Sequence, residues 1–342
     1  VSDFIRDGWY AAAWSEEIGR TLIERWICGM PVVMYRTADG TPVALEGTCP
    51  HRGYPLAMGR LEGDDVECGY HGITFDCSGT CVRVPGGGQP QKAMRVGSYP
   101  LVERGGLIWI WPGNPARADA ALIAERWLDD PAYVAVHGTK VIDCRASLLI
   151  ENLLDLSHEA FLHAGSIGER GVAEYPITTT VTDRHVGAKR VIPNVKPAPL
   201  FAKTGITGNI DRGQDAQFWV PGLCLTLGSA TPVDGSAPAA HWAVIHCVTP
   251  ETATRTRYLW AVARTYALDD ASVDEMWQTG ASNVFDQDVV ALQAQEARLQ
   301  TLPPARIELS VPGDAAALAS RKLIREHLRN ERAAREAALA HA

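Results

Sequence analysis

The sequence predicts a two-domain chain of the mixed α+β class, and three observations predict it. Residues 1 to about 111 are a succession of short apolar runs separated by turn signals. "WPGNPARADA", from Trp111 to Ala120, then interrupts that pattern with two prolines and a glycine. Beyond it, strand-like runs alternate with a few stretches of helical composition. The boundary therefore falls after Asn114, with one domain over residues 1–114 and a second over 115–342.

In the first domain, "PVVMYR", "PVALEG" and "GLIWIW" are strands, and "ADG", "EGDD" and "CSGT" are the turns between them. In the second, "SLLIENLLDLSHEAFLH" and "SVDEMWQTGASNVFDQDVVALQAQEARLQ" have helical composition. "PITTTVTDRHVGAKRVIP" and "HWAVIHCVTPETATRTRYLWAVART" read as strands. The last stretch, "ASRKLIREHLRNERAAREAALAHA", is a charged amphipathic helix that packs on the surface. There is no internal repeat. "PGGGQP" is glycine-rich but has nothing helical after it, which argues against a dinucleotide fold.

Composition narrows the function classes. A chain of 342 residues with 46% hydrophobic and 21% charged residues can bury a sizeable core. A formal charge of −8 argues against a nucleic-acid partner, which needs a basic face. No apolar run approaches the ~18 residues of a membrane span, and "VSDFIRDGWY" lacks a signal peptide's apolar core. The cytoplasm is the default location. Eight cysteines are too sparse for a disulfide scaffold in a chain this long, and in a reducing compartment a Cys/His cluster points to a metal.

Such a cluster is present. Cys49-x-His51 and Cys68-x-x-His71 each bring one thiol and one imidazole to a polar, glycine-dotted stretch with sixteen residues between the pairs. Zinc or an iron–sulfur cluster could use these four groups, but the tight Cys49-x-His51 spacing counts against zinc. In a Rieske-type [2Fe–2S] centre two thiolates hold one iron and two histidines the other, so each loop offers one of each. "CPHRG" and "CGYHGITFD", with Tyr70 and Gly72 in the usual places, resemble the two cluster-binding loops of Rieske proteins. The absence of an extra loop cysteine fits the oxygenase type. Cys77 and Cys81 read as free thiols, and Cys28, Cys144, Cys224 and Cys247, among apolar neighbours, as core.

A second site is needed to use the electron. Iron that activates O2 is typically held by two histidines and one carboxylate. His158 and His163 are five apart, which on an ideal helix turns them about 140° away from each other. They converge only if the helix bulges or ends between them; otherwise they are two unrelated histidines. The pattern N-x-x-D-x-x-H-x(4)-H resembles the mononuclear iron motif of the Rieske non-heme iron oxygenases. That resemblance makes Asp155 a bridge between one subunit's cluster histidine and its neighbour's iron histidine, and puts Asn152 close to the iron. Asp155 and His158, at i and i+3, would share a helical face and a hydrogen bond.

The third ligand comes from "SNVFDQDVVALQAQE". Asp288 has Val284, Phe285, Ala291 and Leu292 around it at helical spacing and projects from the apolar face, whereas Asp286 has Ser282 and Asn283 behind it. Burying a carboxylate is costly unless something compensates it, so periodicity selects Asp288, and the family's ligand position agrees.

The resemblance covers nearly the whole chain. "DGWYAAAW" and "LIWIWPGNP" are similar to the branch that contains vanillate and dicamba O-demethylases. It implies a Rieske β-sandwich followed by an antiparallel sheet wrapped by helices in a helix-grip-like arrangement. It also implies a [2Fe–2S] cluster, a mononuclear Fe(II), a homotrimer, and a separate reductase, acting directly or through a ferredoxin. The implied reaction takes O2 and a small aromatic substrate, with O-demethylation of a methoxylated acid preferred over ring or methyl hydroxylation or dihydroxylation. A Rieske electron carrier is the non-enzyme alternative. In "HWAVIHCV", Trp242, Val244, His246 and Val248 share a face by alternation. His246 before "TPETAT" resembles the histidine that contacts the substrate carboxylate in the dicamba-demethylating members. Trp277 matches a pocket aromatic, and Thr226 stands where those members have asparagine.

Overall fold

The computed structural model describes residues 4–168, 170–197, 204–303 and 307–340. His341 and Ala342, at the end of the expected terminal helix, lie outside them. The chain forms two compact units: residues 1–123 together with 249–253, and residues 124–248 together with 254–342.

Among the described residues, the regular structure of the first unit is all β apart from single 3-10 turns. Its strands are β1 (Tyr10–Trp14), β2 (Ile23–Ile27), β3 (Met30–Arg36), β4 (Pro42–Glu46), β5 (Arg60–Glu62), β6 (Asp65–Glu67), β7 (Thr74–Phe75), β8 (Cys81–Arg83), β9 (Leu101–Arg104) and β10 (Leu107–Ile110). They form three antiparallel sheets with orders β1-β10-β9, β2-β3-β4 and β5-β6-β7-β8. Strand β3 is buried on both faces, which is why its sequence, "MPVVMYR", shows no polar alternation. Val32 and Met34 join Ile108 and Ile110 of β10 in one core. Val33 and Tyr35 point the other way, into a second core with Leu45, Val66 and Phe75, and this core contains Cys49 and Cys68.

The second unit is built on one antiparallel sheet of seven strands. They are β11 (Val134–Ile142), β12 (Thr178–Val181), β13 (His185–Val195), β14 (Ile210–Trp219), β15 (Leu223–Pro232), β16 (Ala240–Thr252) and β17 (Arg255–Arg264). Their order is β11-β17-β16-β15-β14-β13-β12, a meander with β11 brought round to pair β17. The helices are α1 (Ala146–Leu154), α2 (Glu159–Leu162), α3 (Ala271–Gln300) and α4 (Ala315–Ala340). Asp270 caps α3 by accepting from the Ser272 N–H, and α3 packs along β11. Its buried stripe runs Val273, Trp277, Ala281, Val284, Phe285, Asp288, Leu292 and Glu296, the i, i+3, i+4 pattern of a core-facing helix with two carboxylates embedded in it.

Register sets which side chains meet across the sheet. On β14 the buried residues are Ile210, Arg212, Gln214, Ala216 and Phe218, every second position. Gln214 pairs with Arg190 of β13 and with Gly228 of β15, and Gly228 pairs with Trp242 of β16. In the next row Ala216 pairs with Thr226, and Thr226 with Val244.

Candidate metal centres and the adjoining cavity

In the first unit, the two Cys/His loops have the same backbone frame. The Cys49 N–H donates to the Tyr54 carbonyl and the Gly53 N–H returns to the Cys49 carbonyl, each at 2.9 Å. The Cys68 N–H donates to the Ile73 carbonyl at 2.8 Å and the Gly72 N–H to the Cys68 carbonyl at 2.9 Å. Both turns close on a glycine at positive φ, +71° at Gly53 and +68° at Gly72, which a Cβ would strain. The thiols of Cys49 and Cys68 are buried, while His51 and His71 are exposed with ring centroids 4.7 Å apart. Burial, together with the hydrogen bond to Cys68, pushes the Cys49 thiol up. Two buried sulfurs and two outer imidazoles fit a binuclear cluster with one iron inside and one near the surface, and these four residues would hold it.

In the second unit, His158, His163 and Asp288 bring one ligand atom each to within 4.8 Å of one another. The histidines converge because the helical turn between them ends at Leu162 and leaves His163 with non-helical backbone, not because a helix bulges. Helix α1 stops at Leu154, and His158 and His163 are the two caps of the single-turn α2. Their Nε2 atoms are 3.2 Å apart, and lie 3.5 and 3.3 Å from Asp288 Oδ1. The outer nitrogens are already engaged: His158 Nδ1 is 2.5 Å from the Asp155 carbonyl, and His163 Nδ1 is 2.7 Å from Gln287 Oε1. Each acceptor fixes a proton on Nδ1 and leaves Nε2 facing inward, where it would offer its lone pair to a metal and, with no metal bound, carries a proton toward Asp288. Burial pushes the Asp288 carboxyl up, but its hydrogen bonds with the two histidines outweigh this and hold it well below the ordinary range. The same contact raises His158 against the opposing effect of burial. Two imidazoles and a carboxylate on one side of a point are the donor set of a mononuclear non-heme iron, and the residues present fit it. Asn152 donates to Asp288 Oδ1 at 3.0 Å, and its own Oδ1 is buried with no protein partner among the described residues. Asp286 is exposed and pairs with Lys140 at 2.7 Å.

The expected side-chain contact between Asp155 and His158 is not formed. Asp155 is the C-cap of α1, outside the helix, and its carboxylate turns to the Ser157 N–H (2.7 Å) and hydroxyl (2.5 Å). Its backbone carbonyl takes the His158 Nδ1 instead. The i, i+3 argument presumed a continuous helix, and the helix ends one residue too soon.

Beside this triad lies a cavity with about 510 Å³ of empty space including its mouth. Glu159 follows His158, and Val284 and Phe285 precede Asp288 by one turn, so the same elements build cavity and triad. Trp242, Trp277, Phe285, Val244 and Val262 make the apolar wall, and Glu159, Arg212 and Gln214 the polar end. Gly228 is required by the wall, since a Cβ there would fall 2.0 Å from Trp242 Cε2. Thr226 and Trp277 line the cavity. His246 stands behind them, 2% exposed, with Nε2 3.2 Å from the Thr226 hydroxyl and Nδ1 2.6 Å from the Tyr258 hydroxyl. Burial lowers its pKa to about 3, so the ring is neutral. Sequence reasoning missed Gln287, Glu159, Arg212, Gln214, Gly228 and Tyr258. Only the burial of Glu159 beside His158 could have been suspected from position.

Residues 8–100 match the Rieske [2Fe–2S] domain family, and residues 142–330 the family described as the vanillate O-demethylase oxygenase C-terminal domain. The vanillate O-demethylase oxygenase subunit of a Pseudomonas species is 35% identical, over 98% of this chain and 98% of its own. The iron–sulfur subunit of the toluene-4-sulfonate monooxygenase system of Comamonas testosteroni is 34% identical over 96% and 98%. The crystal structure of dicamba monooxygenase bound to 3,6-dichlorosalicylic acid superposes with a TM-score of 0.90 at 32% identity, covering 96% of this chain and 99% of that one. These likenesses set the electron-carrier alternative aside. The cofactors are a Rieske [2Fe–2S] cluster and a mononuclear non-heme iron. As an oxygenase component, the chain takes electrons from a separate reductase or ferredoxin. With both motifs in place and both family matches spanning them, the chain belongs to the vanillate O-demethylase family of Rieske non-heme iron oxygenases.

Proposed function

We propose that this oxygenase removes the methyl group of a small methoxylated aromatic acid. The observation that carries the proposal is the aromatic-walled cavity built from the same helix turns as the His158–His163–Asp288 triad. The iron, when bound by those residues, supplies O2 activation, with electrons arriving through the cluster held by Cys49, His51, Cys68 and His71. The overall balance is an aryl methyl ether plus O2, two electrons and two protons, giving a phenol, formaldehyde and water. One oxygen atom enters the methyl carbon. The resulting hemiacetal breaks the bond between that carbon and the aryl ether oxygen as formaldehyde leaves, and the proton of the new hydroxyl goes to the phenolic oxygen.

The chain's own residues bind and orient. Trp242, Trp277 and Phe285 offer ring faces to a planar substrate and keep water away from the reacting carbon. Thr226 offers its hydroxyl to the substrate's carboxylate, and His246, neutral and anchored by Tyr258, orients that hydroxyl from behind. His246 is on this account a positioning residue, one layer further from the substrate than its sequence position suggests. Asn152 steadies the Asp288 carboxylate. Asp155 serves the electron path into the iron from the cluster of a neighbouring subunit in a homotrimer, and the enzyme works in the cytoplasm.

Hydroxylation without loss of carbon is the second reading, favoured by the relative named for toluene-4-sulfonate. Product analysis over a panel of methoxylated and methylated aromatic acids separates the two. Formaldehyde equimolar with O2 consumed supports demethylation. A hydroxymethyl or ring-hydroxylated product with no formaldehyde from any methoxylated acid supports hydroxylation.

A further inference from the structure

Both histidines of the triad ride on a turn too short to hold its own shape. Helix α2 has four residues, far below the length at which a helix is stable alone, and His158 and His163 are its two caps. Its outer side gives no grip, since Phe161 is 63% exposed, and its buried residues are Glu159 and Ala160. The Glu159 carboxylate runs into the sheet, where Gln214 Nε2 of β14 donates to Oε1 at 2.9 Å and to Oε2 at 2.8 Å. Arg212 of the same strand and Arg190 of β13 reach Oε2 at 3.2 and 3.4 Å. Gln214 Oε1 accepts in turn from Arg190 Nε at 2.6 Å, so these two brace each other. The guanidinium groups also hold the chain beyond His163. Arg212 donates to the Ile167 carbonyl at 2.7 Å, and Arg190 to the Val172 carbonyl at 3.1 Å. Between these points the chain packs on itself: the Gly168 N–H donates to the His163 carbonyl at 3.3 Å, and a Cβ at Gly168 would fall 1.9 Å from the Glu159 carbonyl oxygen.

We propose that Arg190, Arg212 and Gln214 form a positioning clamp for the mononuclear iron. By gripping Glu159 within the turn, and the Ile167 and Val172 carbonyls beyond it, they set the spacing of His158 and His163 before a metal arrives. Glu159 directly follows His158, and its backbone carbonyl accepts from the His163 N–H at 3.2 Å, so one residue links the clamp to both ligands. A buried ion pair adds little net stability, because desolvation cancels much of its attraction. What it supplies is direction: a guanidinium fork fixes distance and angle together, which an apolar contact does not. Ligands ordered beforehand bind a metal more tightly, because binding no longer has to order them. Gln287 and the Asp155 carbonyl orient the two rings, and the clamp places the backbone that carries them. This role is the same whichever aromatic substrate enters the cavity.

The experiment uses the full chain with its Rieske cluster intact, stripped of mononuclear iron by a chelator and titrated with Fe(II). Two quantities are read: the Fe(II) dissociation constant, and the EPR spectrum of the iron's nitric oxide adduct, whose shape reports ligand geometry. Glu159→Gln removes the charge at nearly constant volume. Arg212→Lys keeps its charge but loses the fork that spans Glu159 and Ile167. Phe218→Leu, a buried change on the same strand outside the clamp, controls for lost stability. Glu159→Gln is expected to weaken Fe(II) binding about tenfold or more, the range for partners that orient metal ligands, and to alter the nitric oxide spectrum. Arg212→Lys should do the same by a smaller factor, with the Rieske signal of wild type kept in both. Phe218→Leu should lower the melting temperature and leave Fe(II) affinity and the spectrum unchanged. Wild-type affinity and spectrum in a folded Glu159→Gln overturn the proposal; if that variant does not fold, Arg212→Lys decides by the same criterion. An equal loss of affinity in Phe218→Leu also overturns it, since iron retention would then follow overall stability and not the clamp.

Discussion

His163 is held by Gln287 from the side opposite Asp288: Nδ1 lies 2.7 Å from the Gln287 Oε1, while Nε2 lies 3.3 Å from the carboxylate. The amide oxygen can only accept, so the imidazole must carry a proton on Nδ1, which leaves Nε2 as the nitrogen that would bind a metal. His158 obtains the same tautomer from a backbone carbonyl, which no side-chain substitution can remove. Of the two histidines, His163 is therefore the one whose orientation can be changed by mutation.

Gln287→Leu is expected to weaken mononuclear iron binding by about ten- to a hundredfold while the Rieske spectrum is unchanged. Iron retained after dialysis against a chelator, set against the cluster's absorbance, measures this. Unaltered retention would show that the Gln287 contact does not orient the ligand.

Asp288→Ala should lose the mononuclear iron outright, whereas Asp286→Ala should keep it, because Asp286 reaches out to Lys140 and not to the histidines. Iron analysis of the two variants side by side decides which aspartate is the ligand. The reverse pattern would overturn the assignment.

Asp155→Asn should keep both metal centres and retain a few per cent of turnover or less. Its backbone carbonyl still orients His158, so the loss belongs to the side chain that the proposed electron path uses. Stopped-flow reoxidation of the reduced cluster should slow in step with turnover. Normal turnover would place the electron path elsewhere.

Much of this was legible in the sequence. The four cluster residues could be read because their spacing is local: each loop supplies its own Cys/His pair and closing glycine. Asp288 could be chosen over Asp286 because burial on a long helix is periodic, and α3 keeps that period for thirty residues. The polar end of the cavity was illegible for the reason that makes it interesting. Strand β14 turns Arg212 and Gln214 inward and Asp211 and Asp215 outward, so its two faces look alike in polarity and the alternation that marks a strand vanishes. Strand β15 hides similarly, with Gly228 where an apolar residue would complete the pattern, because the Trp242 indole occupies that space. The break after Leu154, too, has no strong stop signal, and only the tertiary pairing of His158 with Asp288 shows why the helix yields there.

Gly228→Ala tests the cavity wall. The new methyl overlaps the Trp242 indole, which must swing aside, and aromatic-acid binding should fall by about tenfold or more while the melting temperature drops by only a few degrees. Fluorescence titration and thermal melts give both values. Unchanged affinity would mean that the Trp242 face does not contact the substrate.

The second buried carboxylate of α3, Glu296, ties that helix to the start of α1 through Arg145 at 2.6 Å. Hydrogen bonding from Arg145 holds its pKa down at about 2. A depressed carboxyl contributes stability that is present above the ordinary carboxyl range and is lost as pH falls towards about 2. Glu296→Gln should cost on the order of 2 kcal/mol at pH 7, discounted because Arg145 is partly in water, with the difference from wild type shrinking below about pH 4.5. Denaturant melts at pH 7 and pH 3 would show it, and an equal penalty at both would contradict the ion pair's role.

The most direct test of the two-centre account is iron and acid-labile sulfide per chain in wild type and in Asp288→Ala. The account predicts about three irons and two sulfides in wild type, and about two and two in the variant, with the Rieske EPR signal of the reduced protein the same in both. A wild-type chain with two irons, a variant that keeps three, or stoichiometric zinc in place of iron would contradict it.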